Sequence, residues 1–368
     1  MRAHSDMLAE VLLSGSFDVK LHVDVFAGTD RVRRDLSVVG WSLGWDYSTI
    51  GFSGSLDVVE QTDDGTSLIP RGPYGDLSPH AGARVLILME VSAGAFSETV
   101  QLGWARIVGY SDAKDTVVTV DGRRVVTATE IKLDISGPEI GVHRDGLAAP
   151  QQPASGATCY SEIRRLSGLP CMETLPDKPA PSVTYEAKQG GRWDACLNLA
   201  KHLGGVLYVT PQGGLTVHDP DVALSLELTV GDDGTIHDYT QSADTDAVYN
   251  VVHGSFEDDA GNPIYATAEL KDGPMRTSGG YGRYARYYSS DFVKTQWQAD
   301  GAVQSILSQY TWGELYEVPV TCFVNPLVEV GDRVKASTTE TTVEGIVTSV
   351  QLKPGALMQL TLEVARVW

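Results

Sequence analysis

The chain has 368 residues, of which 42 % are hydrophobic and 21 % are charged, a balance typical of a globular protein with two or three domains. Its formal net charge of −20 disfavours a general nucleic-acid-binding surface, because such a surface needs positive charge to displace counterions from the phosphates. Apolar runs are too short for a membrane span, and His4, Asp6 and Glu10 interrupt the N-terminal stretch where a secretion signal would be apolar.

The first third of the chain predicts β structure. Residues 16–26 alternate apolar and polar side chains, which is the period of a strand with one solvated face. Further strands are predicted at residues 84–91, 99–108, 116–120 and 125–135. Turn residues such as Asp121-Gly122 separate them, and no helical period intervenes. We therefore predict an N-terminal β-barrel domain over residues 1–147.

The middle of the chain changes in composition after Gly146, where alanine, proline and glycine are frequent. Apolar spacing predicts helices at residues 161–166 and 192–203, and the second ends at Gly204-Gly205. A hairpin with its turn at residues 211–214 follows. Residues 148–225 are thus predicted to form a small α+β domain.

The last part returns to alternating patterns and is predicted as a second β-barrel domain over residues 226–368. A helix is expected at residues 291–310, inside an inserted segment of about residues 257–315. Strands are predicted at residues 247–256, 318–324, 333–336, 342–351 and 358–367. The predicted fold class is mainly β, with two small barrels bracketing a compact α+β domain.

Residue patterns that could carry chemistry are weak throughout. Ser111 and Lys114 match a Ser-x-x-Lys nucleophile pattern, but the segment is predicted as a hairpin turn and lacks the companion motifs. His218-Asp219 and His237-Asp238 are suitable metal ligands in type, although their spacing matches no known binding loop. We therefore predict no catalytic, cofactor-binding or metal site and no enzymatic activity.

The cysteines include no Cys-x-x-Cys pair, so they fit neither a zinc ribbon nor a disulfide framework. Reduced, buried thiols are predicted at Cys159, Cys171, Cys196 and Cys322.

A short segment near the C-terminus, NPLVEVGDRVKA over residues 325–336, places carboxylates and a Gly-Asp pair between runs of alternating valines. We interpret it as a structural corner between strands. Asn325-Pro326 would make the turn, Glu329 would face outward, and Gly331 would supply backbone freedom. Val328 and Val330 are expected to point into the core, and Asp332 to bond nearby amides. The motif residues are Pro326, Val328, Glu329, Gly331, Asp332 and Val334.

The chain resembles the baseplate hub or minor tail proteins of long-tailed bacteriophages. The resemblance rests on that motif, on the Trp193-bearing helix and the hairpin that precede it, and on the order of elements across residues 150–368. The resemblance implies a homotrimer whose two barrels per subunit form a ring of quasi-sixfold symmetry. Such a hub joins a hexameric tail tube to a threefold tail tip in the virion. Because the chain ends directly after its last strand, a bare hub without an enzymatic extension is expected. An excess of arginine over lysine suggests a GC-rich host, such as an actinobacterium.

The partners implied are the tail tube or distal tail protein and other tail-tip or fibre proteins. DNA would pass the lumen without specific binding, and acidic residues would suit that passage because like charges repel.

Two alternatives remain open from the residues. One is a barrel-based cell-wall or glycan hydrolase, for which the sequence singles out no carboxylate pair. The other is a non-enzymatic receptor- or carbohydrate-binding module. It is suggested by four closely spaced tyrosines that would equally suit contact with a neighbouring subunit. They are Tyr281, Tyr284, Tyr287 and Tyr288.

Overall fold

A computed structural model describes most of the chain. The described residues are 1–47, 50–62, 65–219, 222–231, 234–239, 249–258, 261–290, 293–311, 315–339 and 341–365. The chain divides into two compact units. The main unit comprises Met1–Tyr239, Val320–Thr342 and Ile346–Thr361, and the small unit comprises Thr240–Pro319, Val343–Gly345 and Leu362–Trp368.

The described elements are mostly strands. Five α-helices are α1 (Asp6–Ser14), α2 (Glu139–Arg144), α3 (Cys159–Ser167), α4 (Gly191–Leu203) and α5 (Gln296–Thr311). Strands of the first part are β1 (Asp18–Ala27), β2 (Asp30–Arg33), β3 (Val38–Asp46), β4 (Phe52–Gln61), β5 (Arg84–Ala93), β6 (Phe96–Val120) and β7 (Arg123–Ser136). The middle part has β8 (Val206–Val209), β9 (Leu215–His218), β10 (Leu224–Thr229) and β11 (Ile236–Tyr239). The last part has β12 (Val251–Glu257), β13 (Pro263–Glu269), β14 (Ala285–Tyr288), β15 (Leu315–Phe323), β16 (Arg333–Ser337), β17 (Thr342–Leu352) and β18 (Leu357–Ala365).

The N-terminal half of the main unit is an antiparallel sheet. Its strands lie in the order β3-β4-β7-β6-β5-β1-β2, as part of a 13-stranded sheet that continues from β3 to β17, and β1 pairs with β5 from Asp18 opposite Ser92 to Phe26 opposite Arg84. The inward residues of β5 alternate with partly exposed ones, as the period of two predicts. Helix α1 begins at the Ser5 cap and buries Leu8 and Leu12, and the sequence pattern did not predict this helix.

Strands β6 and β7 form one long hairpin whose turn is the predicted Asp121-Gly122, with φ of 51° and 76°. The sequence predicted two strands, 99–108 and 116–120, with Ser111–Lys114 in a turn, and this was wrong. The chain continues as a single strand, and the register shifts between Ser111 and Lys114, so that Asp112 takes a φ of 51°. A bulge of this kind absorbs extra residues without ending the strand.

The two helices and the hairpin predicted in the middle of the chain are present as α3, α4 and β8–β9, and the α+β domain over residues 148–225 stays a prediction. A capping box at Thr158 begins α3, and Gly204, with φ of 101°, ends α4. The two helices pack around Tyr160 and Trp193 in one buried cluster. All four cysteines are buried free thiols, as predicted.

The small unit contains a three-stranded sheet in the order β13-β12-β14, with β12 antiparallel to β13 and parallel to β14. Helix α5 covers one face, where Phe256, Ala266 and Val303 belong to the core. Of the helix predicted over residues 291–310, positions 291 and 292 lie outside the described residues, and α5 begins at Gln296.

The prediction of a mainly β protein is confirmed. The described strands follow an open path rather than a closed barrel, so the two-barrel arrangement stays a prediction. Within the described part of the chain, no helix is long and apolar enough to span a membrane.

Candidate functional site

The segment singled out in the sequence connects β15 to β16, and we call residues 325–334 the corner. Two polar side chains shape its turns. Asn325 Oδ1 accepts a hydrogen bond from the Leu327 amide at 3.0 Å, and Asp332 Oδ2 accepts one from the Glu329 amide at 2.8 Å. The Asp332 amide donates in return to the Glu329 carbonyl at 3.2 Å. These local bonds occupy backbone groups that have no sheet partner within the turn.

The apolar residues of the corner are in the core, since Val328, Val330 and Val334 are all at most 1 % exposed. Glu329 was expected to face outward, but only 13 % of its side chain is exposed. The expectation failed because strand alternation does not apply in a turn, and because a cationic segment from elsewhere in the chain covers this carboxylate.

That segment is the N-terminus. Arg2 is 5 % exposed, and its Nη1 donates to the carbonyls of Pro326 and Val328, both at 2.7 Å. Its amide donates to the Leu327 carbonyl at 2.8 Å, and its guanidinium lies 5.3 Å from the ring centroid of Trp45. A planar guanidinium suits this position because it can donate to two acceptors while stacking on a ring.

The corner carboxylates balance the positive charges. The amino group of Met1 lies 2.5 Å from Asp332 Oδ1 and 3.8 Å from Glu329 Oε2, and Arg2 Nε is 3.9 Å from Glu329 Oε1. Tyr208 also donates its hydroxyl to Glu329 Oε1 at 3.3 Å. Both carboxylates are therefore engaged in holding the N-terminal segment, and a structural role accounts for them.

Gly331 is required by both its conformation and its surroundings. Its φ is +95°, and a Cβ built there would overlap the imidazole of His218 and lie 2.7 Å from the Tyr47 hydroxyl oxygen. Its amide donates to the Val347 carbonyl at 2.8 Å, which joins the corner to β17. Only glycine has both the freedom and the size for this position.

His218, considered in the sequence as a metal ligand, instead packs against the corner. Its ring is stacked on Tyr208 with centroids 4.5 Å apart. Burial lowers the pKa of His218 to about 4, although nearby Asp332 acts in the opposite direction, so the ring is neutral at pH 7. Among the described residues, no group of three or more His, Cys, Asp or Glu side chains is arranged to hold a metal ion.

The tyrosines singled out in the sequence do not share one environment. Tyr281 and Tyr284 have ring centroids 4.9 Å apart, whereas Tyr288 packs against the core of the small unit. Tyr287 is 80 % exposed on β14. Tyr265, which the sequence analysis did not single out, is 69 % exposed on β13.

Sequence reasoning found the corner but missed Arg2, Trp45 and Tyr208, which complete it. Tyr208 is 121 residues from Glu329 and Arg2 is 324 residues from Pro326, while Trp45 contacts the guanidinium of Arg2. No local pattern carries that information. A buried arginine beside the N-terminus has no signature in a single sequence.

Comparison with solved structures identifies the architecture. The chain matches a tail protein from Neisseria meningitidis with a TM-score of 0.61 at 13 % identity, over 93 % of this chain and 96 % of the other. It matches the 43 kDa tail protein of a Shewanella oneidensis prophage with a TM-score of 0.61 at 12 % identity, over 94 % and 98 % of the two chains. The chain has the fold of phage tail proteins.

A third match agrees with this phage-tail fold. A prophage tail protein from Listeria monocytogenes aligns with a TM-score of 0.52 at 11 % identity, over 93 % and 94 % of the two chains. No protein-family model matches the chain, and no curated protein is similar to it in sequence. The family resemblance drawn from the corner motif therefore agrees with the fold.

Proposed function

We propose that this protein is a structural component of a phage tail, the hub that joins a hexameric tail tube to a threefold tail tip. The observation that carries the proposal is the match to tail proteins over more than 90 % of both chains. A match of that extent covers nearly the whole of each chain, so it is not the sharing of one common motif.

In this proposal three copies of the chain form a ring, each contributing two similar β-domains, as the family resemblance implies. The ring contacts the tail tube or distal tail protein on one side and tip or fibre proteins on the other. DNA passes through its lumen, and carboxylates from a chain of net charge −20 line that passage without binding the DNA.

The surface of the main unit supports assembly with other copies. Aliphatic side chains are exposed near the turn of the long β6–β7 hairpin, where Val117, Val118 and Val120 are 37 %, 42 % and 53 % exposed. Val118 and Val120 share a strand face by alternation. Clustered exposed valines are stabilised when another surface covers them.

The role proposed here is structural rather than catalytic. A hydrolase requires two carboxylates poised at a cleft, one of them able to act as a general acid. The corner carboxylates are instead committed to the N-terminal amino group, to Tyr208 and to a backbone amide. Their geometry serves attachment of the N-terminal segment.

Light scattering coupled to size exclusion tests the proposed assembly. We expect a trimer, alone or when the tail partners are added, and a protein that remains monomeric or dimeric with those partners would contradict the hub. Val118→Asp should weaken the trimer, since it places a charge in the covered face. Val39→Asp is the matched control, because Val39 is 67 % exposed on β3, outside the hairpin.

A further inference from the structure

The sheet of the small unit has two faces of different character. Helix α5 covers one face, where Val252, Phe256 and Ala268 are buried. The side chains that alternate with these point to the other face and are exposed or half-exposed, apart from Val251 at the start of β12, which is buried. We call this the aromatic face, and its central residues are His253, Ser255, Tyr265, Thr267 and Tyr287.

Strand register brings these residues into rows. His253 on β12 lies opposite Thr267 on β13 and opposite Tyr287 on β14, so the three side chains form one row across the sheet. His253 Nδ1 is 3.0 Å from Thr267 Oγ1, and its ring centroid is 5.4 Å from that of Tyr287. The imidazole is thus held between a hydroxyl and a ring.

A second aromatic ring lies diagonally across the same face. Tyr265 is opposite Ser255, two residues along β12 from His253. Tyr265 and Tyr287 lie two strands apart across the sheet and two residues apart along it, so their Cα atoms are separated by roughly 12 Å. Small side chains between them, such as Ser255, leave the surface flat and supply hydroxyl groups.

The types of side chain on this surface indicate the class of ligand that it can bind. Among the described side chains of the small unit, the exposed large hydrophobic residues are all aromatic, namely Tyr265, Tyr284, Tyr287 and Trp297. No large aliphatic side chain that the structure describes is exposed beside them, whereas the main unit exposes Met7, Leu13 and several valines. A protein partner is usually bound by a mixture of aromatic and aliphatic contacts around a dry centre. A sugar instead presents a flat C–H face for a ring and hydroxyls for polar side chains.

We propose that the aromatic face binds a neutral, linear oligosaccharide. Tyr265 and Tyr287 stack on the faces of two of its pyranose rings, and His253, Ser255 and Thr267 hydrogen-bond to its hydroxyls. The distance between the tyrosines requires a chain of several sugars rather than a monosaccharide. Glu257, an exposed carboxylate at the end of β12, disfavours an anionic polymer.

Binding to immobilised cellohexaose, chitohexaose and maltohexaose tests the proposal with the full-length chain. We expect the wild type to bind at least one of these, and Tyr265→Ala and Tyr287→Ala each to weaken that binding by about tenfold or more. Tyr287→Phe keeps the ring, so its affinity should stay within about twofold of the wild type.

Tyr74→Ala is the matched control, because Tyr74 is 77 % exposed but belongs to the main unit. Failure of the wild type to bind any of the three probes overturns the proposal. So does an equal loss of binding in Tyr74→Ala, or tyrosine variants that change the oligomeric state and leave glycan binding intact. Because the assay reads sugar binding rather than assembly, its failure would leave the proposed hub role standing.

Discussion

The corner of the main unit and the aromatic face of the small unit both place aromatic rings beside polar side chains, but they differ in burial. In the corner, Tyr208 is 7 % exposed and donates to a carboxylate that also balances the N-terminal charges. On the aromatic face, Tyr287 is 80 % exposed beside His253. The same residue type therefore stabilises the fold in one region and is available to a ligand in the other.

Gly331→Val should have the largest effect on stability. Its side chain would overlap His218, and the backbone φ at this position is one that valine rarely adopts. We expect a loss of more than about 4 kcal/mol in the free energy of unfolding, or no folded protein. Gly28→Val separates the two causes, since Gly28 has φ of +63° and no atom lies within 4 Å of the position that a Cβ would take there. That control should lose only about 1–3 kcal/mol. Equal losses in chemical denaturation would contradict the role given to the His218 contact.

Arg2→Ala removes the cation that joins the N-terminal segment to the corner. We expect a loss of about 3 kcal/mol, because two corner carbonyls lose a donor and Glu329 loses a nearby cation. Lys114→Ala is the control, as its Nζ lies 2.7 Å from Glu130 Oε2 but the two side chains are 67 % and 40 % exposed. A surface pair should contribute less than about 1 kcal/mol. If the two variants were equally stable, the corner would not depend on Arg2.

Glu139 offers a contrast to the corner carboxylates, because backbone amides rather than cations surround it. Its Oε1 accepts from the Phe52 amide at 3.2 Å, and burial raises its pKa to about 7. A raised pKa means that the folded state holds the proton more tightly. The stabilisation is therefore complete below the ordinary pKa near 4.5 and is lost as pH rises through 7.

Glu139→Gln should remove this dependence. Between pH 4 and pH 8, the wild type should lose about 3 kcal/mol of unfolding free energy relative to the variant. Denaturant titrations at several pH values measure this difference. Taking the difference between the two proteins also cancels the opposite pH dependence of stability that His218 contributes, because His218 is present in both. A difference that did not vary with pH would show that Glu139 titrates normally.

Tyr287→Ala should have the smallest effect on stability, within about 0.5 kcal/mol, because the side chain is exposed. Tyr208→Ala should lose about 3 kcal/mol, since its ring is buried against His218. Thermal unfolding of the two variants compares the regions directly. A large loss in Tyr287→Ala would mean that the aromatic face contributes to the fold and is not a free binding surface.

Much of the fold was predictable because its signals are local. Alternation identified β1, β5 and β7, and the glycine at position 204 marked the end of α4. Asp121-Gly122 specified the turn of the long hairpin. Each of these depends on residues within a few positions of one another, where side-chain period and backbone freedom act directly.

The same local reasoning failed where a neighbouring strand changed the outcome. Ser111–Lys114 has the composition of a turn, but pairing with β7 carries the strand through it with a bulge. Helix α1 was also missed, although its Ser5 cap is a local signal.

By itself, the sequence determined the mainly β character, helices α3 and α4 with the hairpin after them, and the special position of Gly331, since each follows from local period or backbone geometry. Only the tertiary structure decided that Arg2 and Met1 would meet Glu329 and Asp332, because a contact across more than 320 residues leaves no local pattern. It also decided which tyrosines are exposed. That depends on which sheet face helix α5 covers, and burial of apolar side chains against a partner element settles it.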